Sequence, residues 1–195
     1  MSSYFAWPIW DSYRSHGDVA LLREDILTQP WYQPPTIVDD SVLQHAVNSC
    51  DVAAARVLIE LGEHPNLPAD DGFTLLHLAV DAAYEQKHSG ESLEMIGLLL
   101  ENGADPNVLG MDGTALHRAA GWGNVEVVGL LLKHGADIEA RMLVDGELTP
   151  LMHAALWGKR DMVTFLLLSG ADPMARCAEY MGGLTAEELV RNGIR

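Results

Sequence analysis

Eight histidines, two cysteines and several adjacent carboxylates are the side chains of this chain that could do chemistry. Imidazole can act as general base or metal ligand, a thiolate is a nucleophile, and grouped carboxylates hold hard cations. Each of these uses needs partners at a fixed spacing. The sequence has no H-E-x-x-H, no C-x-x-C, no G-x-S-x-G and no phosphate-cradling glycine loop. Asp39-Asp40 and Asp70-Asp71 lack the ligand spacing of a calcium-binding loop, and GMDG at 110–113 and GWG at 121–123 have the composition of turns and breaks. These patterns assign no catalytic residue, no metal site and no cofactor.

The elements around these residues explain most of the histidines. Thr114 to Asp137, TALHRAAGWGNVEVVGLLLKHGAD, predicts a short helix with a Thr N-cap, a break over Gly121 to Gly123, and a second helix over Val125–Lys133. The second helix carries Val125, Val127, Val128, Leu130, Leu131 and Leu132, too many apolar residues for one stripe, so it must be covered on more than one side. Gly135 stands where a left-handed helix end is least costly. The pattern returns from Thr149, from Thr74 with its second half at Leu93–Asp105, and more loosely from Ser41. Starts at 41, 74, 114 and 149 give gaps of 33, 40 and 35, and Gly62, Gly103, Gly135 and Gly170 keep step.

A period near 33 with a T-P-L-H-x-A signature resembles the ankyrin-repeat family from about residue 41 onward. The resemblance implies an all-α fold, an ankyrin-repeat solenoid of about four full repeats with degenerate caps at both ends. It divides the chain into 1–40, an N-terminal helical cap, 41–176, repeats one to four, and 177–195, a C-terminal capping half-repeat. It also makes His77 and His117 structural, each bonded to a neighbouring hairpin finger, and it implies a non-enzymatic protein-binding scaffold without cofactor. His153 lies one place further along its helix, with Met152 in the usual slot, and His134 falls in a helix-ending loop.

The ends depart from the consensus. Trp7-Pro8-Ile9-Trp10 stands where T-P-L-H would, and Asp18–Gln29 reads as an amphipathic helix. Phe5, Trp7, Trp10, Trp31 and Tyr32 could close the open face of the stack, or could form an arm that docks on a partner. At the other end Glu187 and Glu188 replace the Leu and His of the signature, which suits a polar outer cap. Repeat one has Cys50 where its neighbours have Gly, and repeat two carries an insertion of about eight residues between Asp81 and Ser92, a candidate contact element. Gly97 and Gly129 precede successive LLL runs, where close helix approach would explain a residue that costs ~1 kcal/mol relative to Ala.

Composition bounds the class. An apolar fraction of 48% over 195 residues supports a packed domain. No run is long enough to span a membrane, the first ten residues make a poor secretory signal, and the two cysteines, Cys50 and Cys177, fall near opposite ends of the repeat register. A cytoplasmic chain without a disulfide is expected. The net charge of −16 disfavours nucleic acid and anionic membranes. Residues 1–140 hold 21 acidic and 6 basic side chains, and residues 141–195 hold 7 and 6.

Partners of ankyrin arrays usually meet the concave side, so the resemblance points to the fingers and to the ends of the first helices. Carried over by position, this gives Leu109, Met111 and Asp112 in one finger, Met142, Leu143 and Val144 in the next, and the pairs Gly121-Trp122 and Leu156-Trp157 at the helix ends. Asp70, Asp71 and Asp81 supply an acidic stretch toward the N-terminal half. Aligned tryptophans at non-core positions resemble a binding hot spot. The expected partner is a protein with an apolar knob flanked by basic groups, met by a chain that is monomeric when free. The alternatives are an immunity or antitoxin-type inhibitor of a basic toxin or nuclease, and a self-associating structural protein.

Overall fold

A computed structural model describes residues 6–28, 41–66, 72–84, 89–142, 146–179 and 182–191, and among these it holds eleven helices and no strand. The chain forms two compact units, Met1–Ala104 and Asp105–Arg195. None of the described helices is long and apolar enough to cross a membrane.

The first unit contains α1 (Ala6–His16), α2 (Val19–Thr28), α3 (Val42–Asn48), α4 (Val52–Glu60), α5 (Leu75–Tyr84) and α6 (Ser89–Glu101). Consecutive helices pair, α1 with α2, α3 with α4 and α5 with α6. First helices then stack on first helices and second on second, through α1 with α3, α3 with α5, α2 with α4 and α4 with α6. Ser41 and Asp51 start α3 and α4 by accepting the free N–H groups of Gln44 and Ala54, caps that each contribute ~1 kcal/mol. Trp10 and Tyr13 are buried; the Trp10 ring stacks on His45, and the Tyr13 hydroxyl donates to Asp51 at 2.7 Å. Burial, with the carboxylate beside it, pushes the Tyr13 phenol well above its usual range. Phe5, Trp31, Tyr32 and the side chain of Trp7 lie outside the described residues.

One point the sequence left open is decided here, and one expectation changes. The extra residues of repeat two lengthen the helices themselves: α5 and α6 have 10 and 13 residues, against 8 and 9 in the corresponding helices of the next repeat. Residues 85–88 fall outside the description. Close approach also fails to explain Gly97, because a Cβ there would meet nothing within 4 Å, and at Gly129 it would make only ordinary contact with Phe165 at 3.7 Å.

The second unit contains α7 (Ala115–Trp122), α8 (Val125–Lys133), α9 (Pro150–Leu156), α10 (Arg160–Leu168) and α11 (Ala186–Arg191). The same order recurs: α7 pairs with α8 and α9 with α10, while α7, α9 and α11 form one layer and α8 and α10 the other. Helix α8 spans the predicted residues and packs on both α7 and α10, burying Val127, Val128 and Leu131. Its predecessor ends later than expected. Gly121 and Trp122 are helical, and the break falls at Gly123 alone, in the left-handed conformation at φ 82°.

Polar side chains join successive repeats. Asn107 donates to the Gly135 carbonyl and accepts from the Asp137 N–H, Asn66 donates to the Gly103 carbonyl, and Glu139 accepts from the Asp172 N–H. At α11 the signature histidine is replaced without losing its cap: Glu188 accepts from the Thr185 N–H at 2.9 Å, and its own N–H donates to Thr185 Oγ1. That backbone bond first, with Arg176 and Arg191 adding to it, holds the Glu188 carboxyl below its usual value. Cys50 and Cys177 are both free thiols and both buried.

Candidate functional site

A connected group of side chains lies along α7 and α9. Thr114 fixes its origin: its N–H donates to Nδ1 of His117 at 3.1 Å. Since Nδ1 accepts, the ring proton sits on Nε2, which donates to the Leu148 carbonyl at the base of the next finger, 3.0 Å away. Burial pushes the His117 pKa down to about 4, so the ring is neutral at physiological pH and serves as a bracket between repeats.

One place along, Arg118 and His153 occupy the same position in successive repeats, each four residues before a tryptophan. Residues so spaced share a helix face. The Arg118 guanidinium lies over the Trp122 ring, 5.4 Å from its centroid, and pairs with Asp112 at 3.3 Å. A cation over an indole contributes ~0.5–1 kcal/mol at such a partly exposed site. His153 uses both nitrogens. Its Nδ1 lies 2.9 Å from the His117 carbonyl, and because a carbonyl only accepts, Nδ1 carries the proton. Nε2 is then left as the acceptor for the Trp157 indole N–H at 3.0 Å.

A glycine makes room for this arrangement. A Cβ on Gly121 would stand 2.7 Å from Cε1 of His153 and 3.5 Å from the Trp157 ring. No side chain fits there. Gly113 does the same for His117, whose ring lies 2.9 Å from where its Cβ would be, and its φ of 108° suits glycine in any case.

Of the expected surface residues, Trp157 is 63% exposed and Met111 64%, while Leu109 is more weakly exposed and Trp122, Leu156 and Asp112 are half-buried. Met111 and Asp112 form the tip of a turn closed by the Gly110 N–H on the Gly113 carbonyl. Asp112, Arg118 and Trp122 therefore make one connected group, and His153 and Trp157 another in the following repeat. Asp81 sits half-buried on α5, in the first unit.

Met142 is corrected. It is 1% exposed and belongs to the core. Its N–H donates to the Leu148 carbonyl at the base of the finger, and Leu148 is buried as well. A partner cannot reach it in the folded chain. Asp70, Asp71, Leu143 and Val144 lie outside the described residues. Sequence reasoning named Gly121 only as the neighbour of Trp122 and did not single out Arg118 or His153 for the surface. The signal available was their register, since each is defined by its distance from an aligned tryptophan.

Among the described residues no three His, Cys, Asp or Glu side chains gather as a metal site. A family model describing ankyrin repeats in three copies matches residues 82–177, the stretch that holds both tryptophans and α6 to α10. No curated protein matches the chain.

Proposed function

Since this chain is built on ankyrin repeats, we propose that it is a non-catalytic protein-interaction module that grips one partner through the fingers and first-helix ends of its second unit. Ankyrin repeats in general bind other proteins. In this reading Trp157 and Met111 are the anchors, Trp122, Leu109 and Leu156 complete the apolar contact, and Asp112 sets polarity at its edge. The observation that carries it is the exposure of Trp157: an indole left 63% open beside a tight polar bracket is not there to fill the core. The corresponding concave surface is the usual meeting place in the family. The partner offers an apolar side chain flanked by basic groups, and the free chain is a cytoplasmic monomer.

The test replaces Trp122 and Trp157 by Ala together and measures both melting and partner capture from the source cell. Lost capture with an unchanged melting curve supports the surface. A large loss of stability with capture retained sinks it.

The charge supports a narrower reading as an inhibitor of a basic toxin or nuclease. Residues 1–104 carry 16 acidic and 4 basic side chains, and residues 105–195 carry 12 and 8. A field of that sign steers cations at low salt. Association that weakens strongly from low to physiological salt favours this reading, whereas salt-insensitive binding assigns the contact to the tryptophans.

A further inference from the structure

We propose that His153 is a positioning residue for Trp157: it consumes the indole donor, leaves only the ring surface for a ligand to contact, and lets go of the ring when it gains a proton. The inference rests on the reading of Trp157 as an anchor, but its central claim concerns the free chain. Two distances carry it. Nδ1 of His153 is 2.9 Å from the His117 carbonyl, and Nε2 is 3.0 Å from the Trp157 indole nitrogen. The first bond fixes the tautomer, and the tautomer makes the second bond possible.

The surroundings narrow the choice of conformers. His117 and His153 meet edge to face with centroids 6.4 Å apart, His153 and Trp157 likewise at 6.1 Å, and the backbone of Gly121 passes beneath both. With its N–H satisfied inside the chain, Trp157 cannot donate to a partner's carbonyl or carboxylate without breaking the bond to His153. The ligand group it accepts is therefore apolar, aromatic or cationic rather than a hydrogen-bond acceptor. That selects among partners more sharply than an exposed indole alone.

Protonation reverses the arrangement. An imidazolium donates from both nitrogens, so Nε2–H would face the indole N–H and the pair would separate. Three helices pack on α9. Helix α7 brings His117 and Arg118, the latter turned to Asp112 and Trp122. Helix α10 brings Lys159 at its start, followed by Arg160 and Asp161, and α11 brings Glu187, Glu188 and Arg191, with Glu187 paired to Arg191 and Glu188 to Arg176. His117 stays neutral down to about pH 4, so above that value it adds no charge beside His153.

The experiment follows the Trp157 indole N–H of the full chain by proton–nitrogen NMR, identified by its absence in Trp157→Phe, from about pH 8 to about pH 5. The expected result is a shift whose midpoint coincides with that of the His153 ring carbon protons, and faster solvent exchange on the acid side. In His153→Leu the resonance should sit at its acid-side position at every pH. Should that variant not fold, the wild-type titration still decides the matter. An indole signal that stays still while His153 titrates overturns the proposal. An indole that follows His153 upholds it even if Trp157→Ala leaves partner capture intact, an outcome that would count only against the surface.

Discussion

Gly121 lies directly beneath the imidazole of His153, so close that a single methyl group on its α-carbon would stand 2.7 Å from Cε1 of the ring. The contact joins α7 to α9 at the point where the repeat departs most from its own pattern. Repeat three gives up a side chain there, and repeat four fills the space with a histidine that carries a tryptophan.

This predicts opposite signs for two glycine substitutions. Gly121→Ala gains ~1 kcal/mol of helix propensity but forces His153 off its rotamer or the helices apart, at a cost of ~1–3 kcal/mol, so the net effect is destabilising. Gly97→Ala meets open space and should stabilise the chain by up to ~1 kcal/mol. Urea titrations of both variants beside wild type check the signs. A stabilised Gly121→Ala would mean that the ring relaxes freely.

The depressed pKa of His117 makes stability depend on pH. Its folded value of about 4 lies below the unfolded value, ~6.5. The unfolded chain therefore binds the proton first, and stability falls as pH drops from ~6.5 toward 4. It is fully present above ~6.5 and levels off below the folded value. Between about pH 7.5 and about pH 4.5 the loss from this ring is ~2–3 kcal/mol. Denaturant midpoints at the two pH values, in wild type and in His117→Gln, isolate it. A pH dependence of equal size in both chains would assign the effect to other groups.

Cys50 takes a left-handed backbone at φ 53°, where Gly123 and Gly158 stand in later repeats, and its Sγ lies 3.3 Å from the buried Ser92 hydroxyl. Cys50→Gly should relieve ~1 kcal/mol of backbone strain while stranding the hydroxyl at ~1–3 kcal/mol. The single variant is expected to melt lower, and Cys50→Gly with Ser92→Ala to recover most of the loss. Thermal melts of the three chains suffice. A double variant no better than the single one would rule out this sulfur–hydroxyl pair as the compensation.

Arg118 connects Asp112 to Trp122, and its side chain is only 15% exposed. Arg118→Ala should lower stability by ~1 kcal/mol and leave Trp122 more open to quenching by iodide, measured with the other tryptophans present in both chains. Unchanged quenching would show that the guanidinium does not shield the ring.

Periodicity and end signals determined much of this protein without coordinates. The spacing of Thr114, Gly135 and the LLL run located α8 from Val125 to Lys133, and the recurrence of that unit made the fold all-α. Such features follow from local backbone chemistry, in which a capping hydroxyl, a left-handed glycine and an apolar stripe act within a few residues of one another. What lies across repeats was decided only by tertiary packing. Met142 has the composition of a surface finger and is core, its backbone tied to that of the buried Leu148. Trp122 and Trp157 share one register, yet Arg118 partly covers the first while His153 holds the second open to solvent. Register states which helix end a side chain occupies. Whether water reaches it depends on what the adjoining repeat places beside it, and that is set by contacts more than thirty residues apart in the chain, such as His117 with His153.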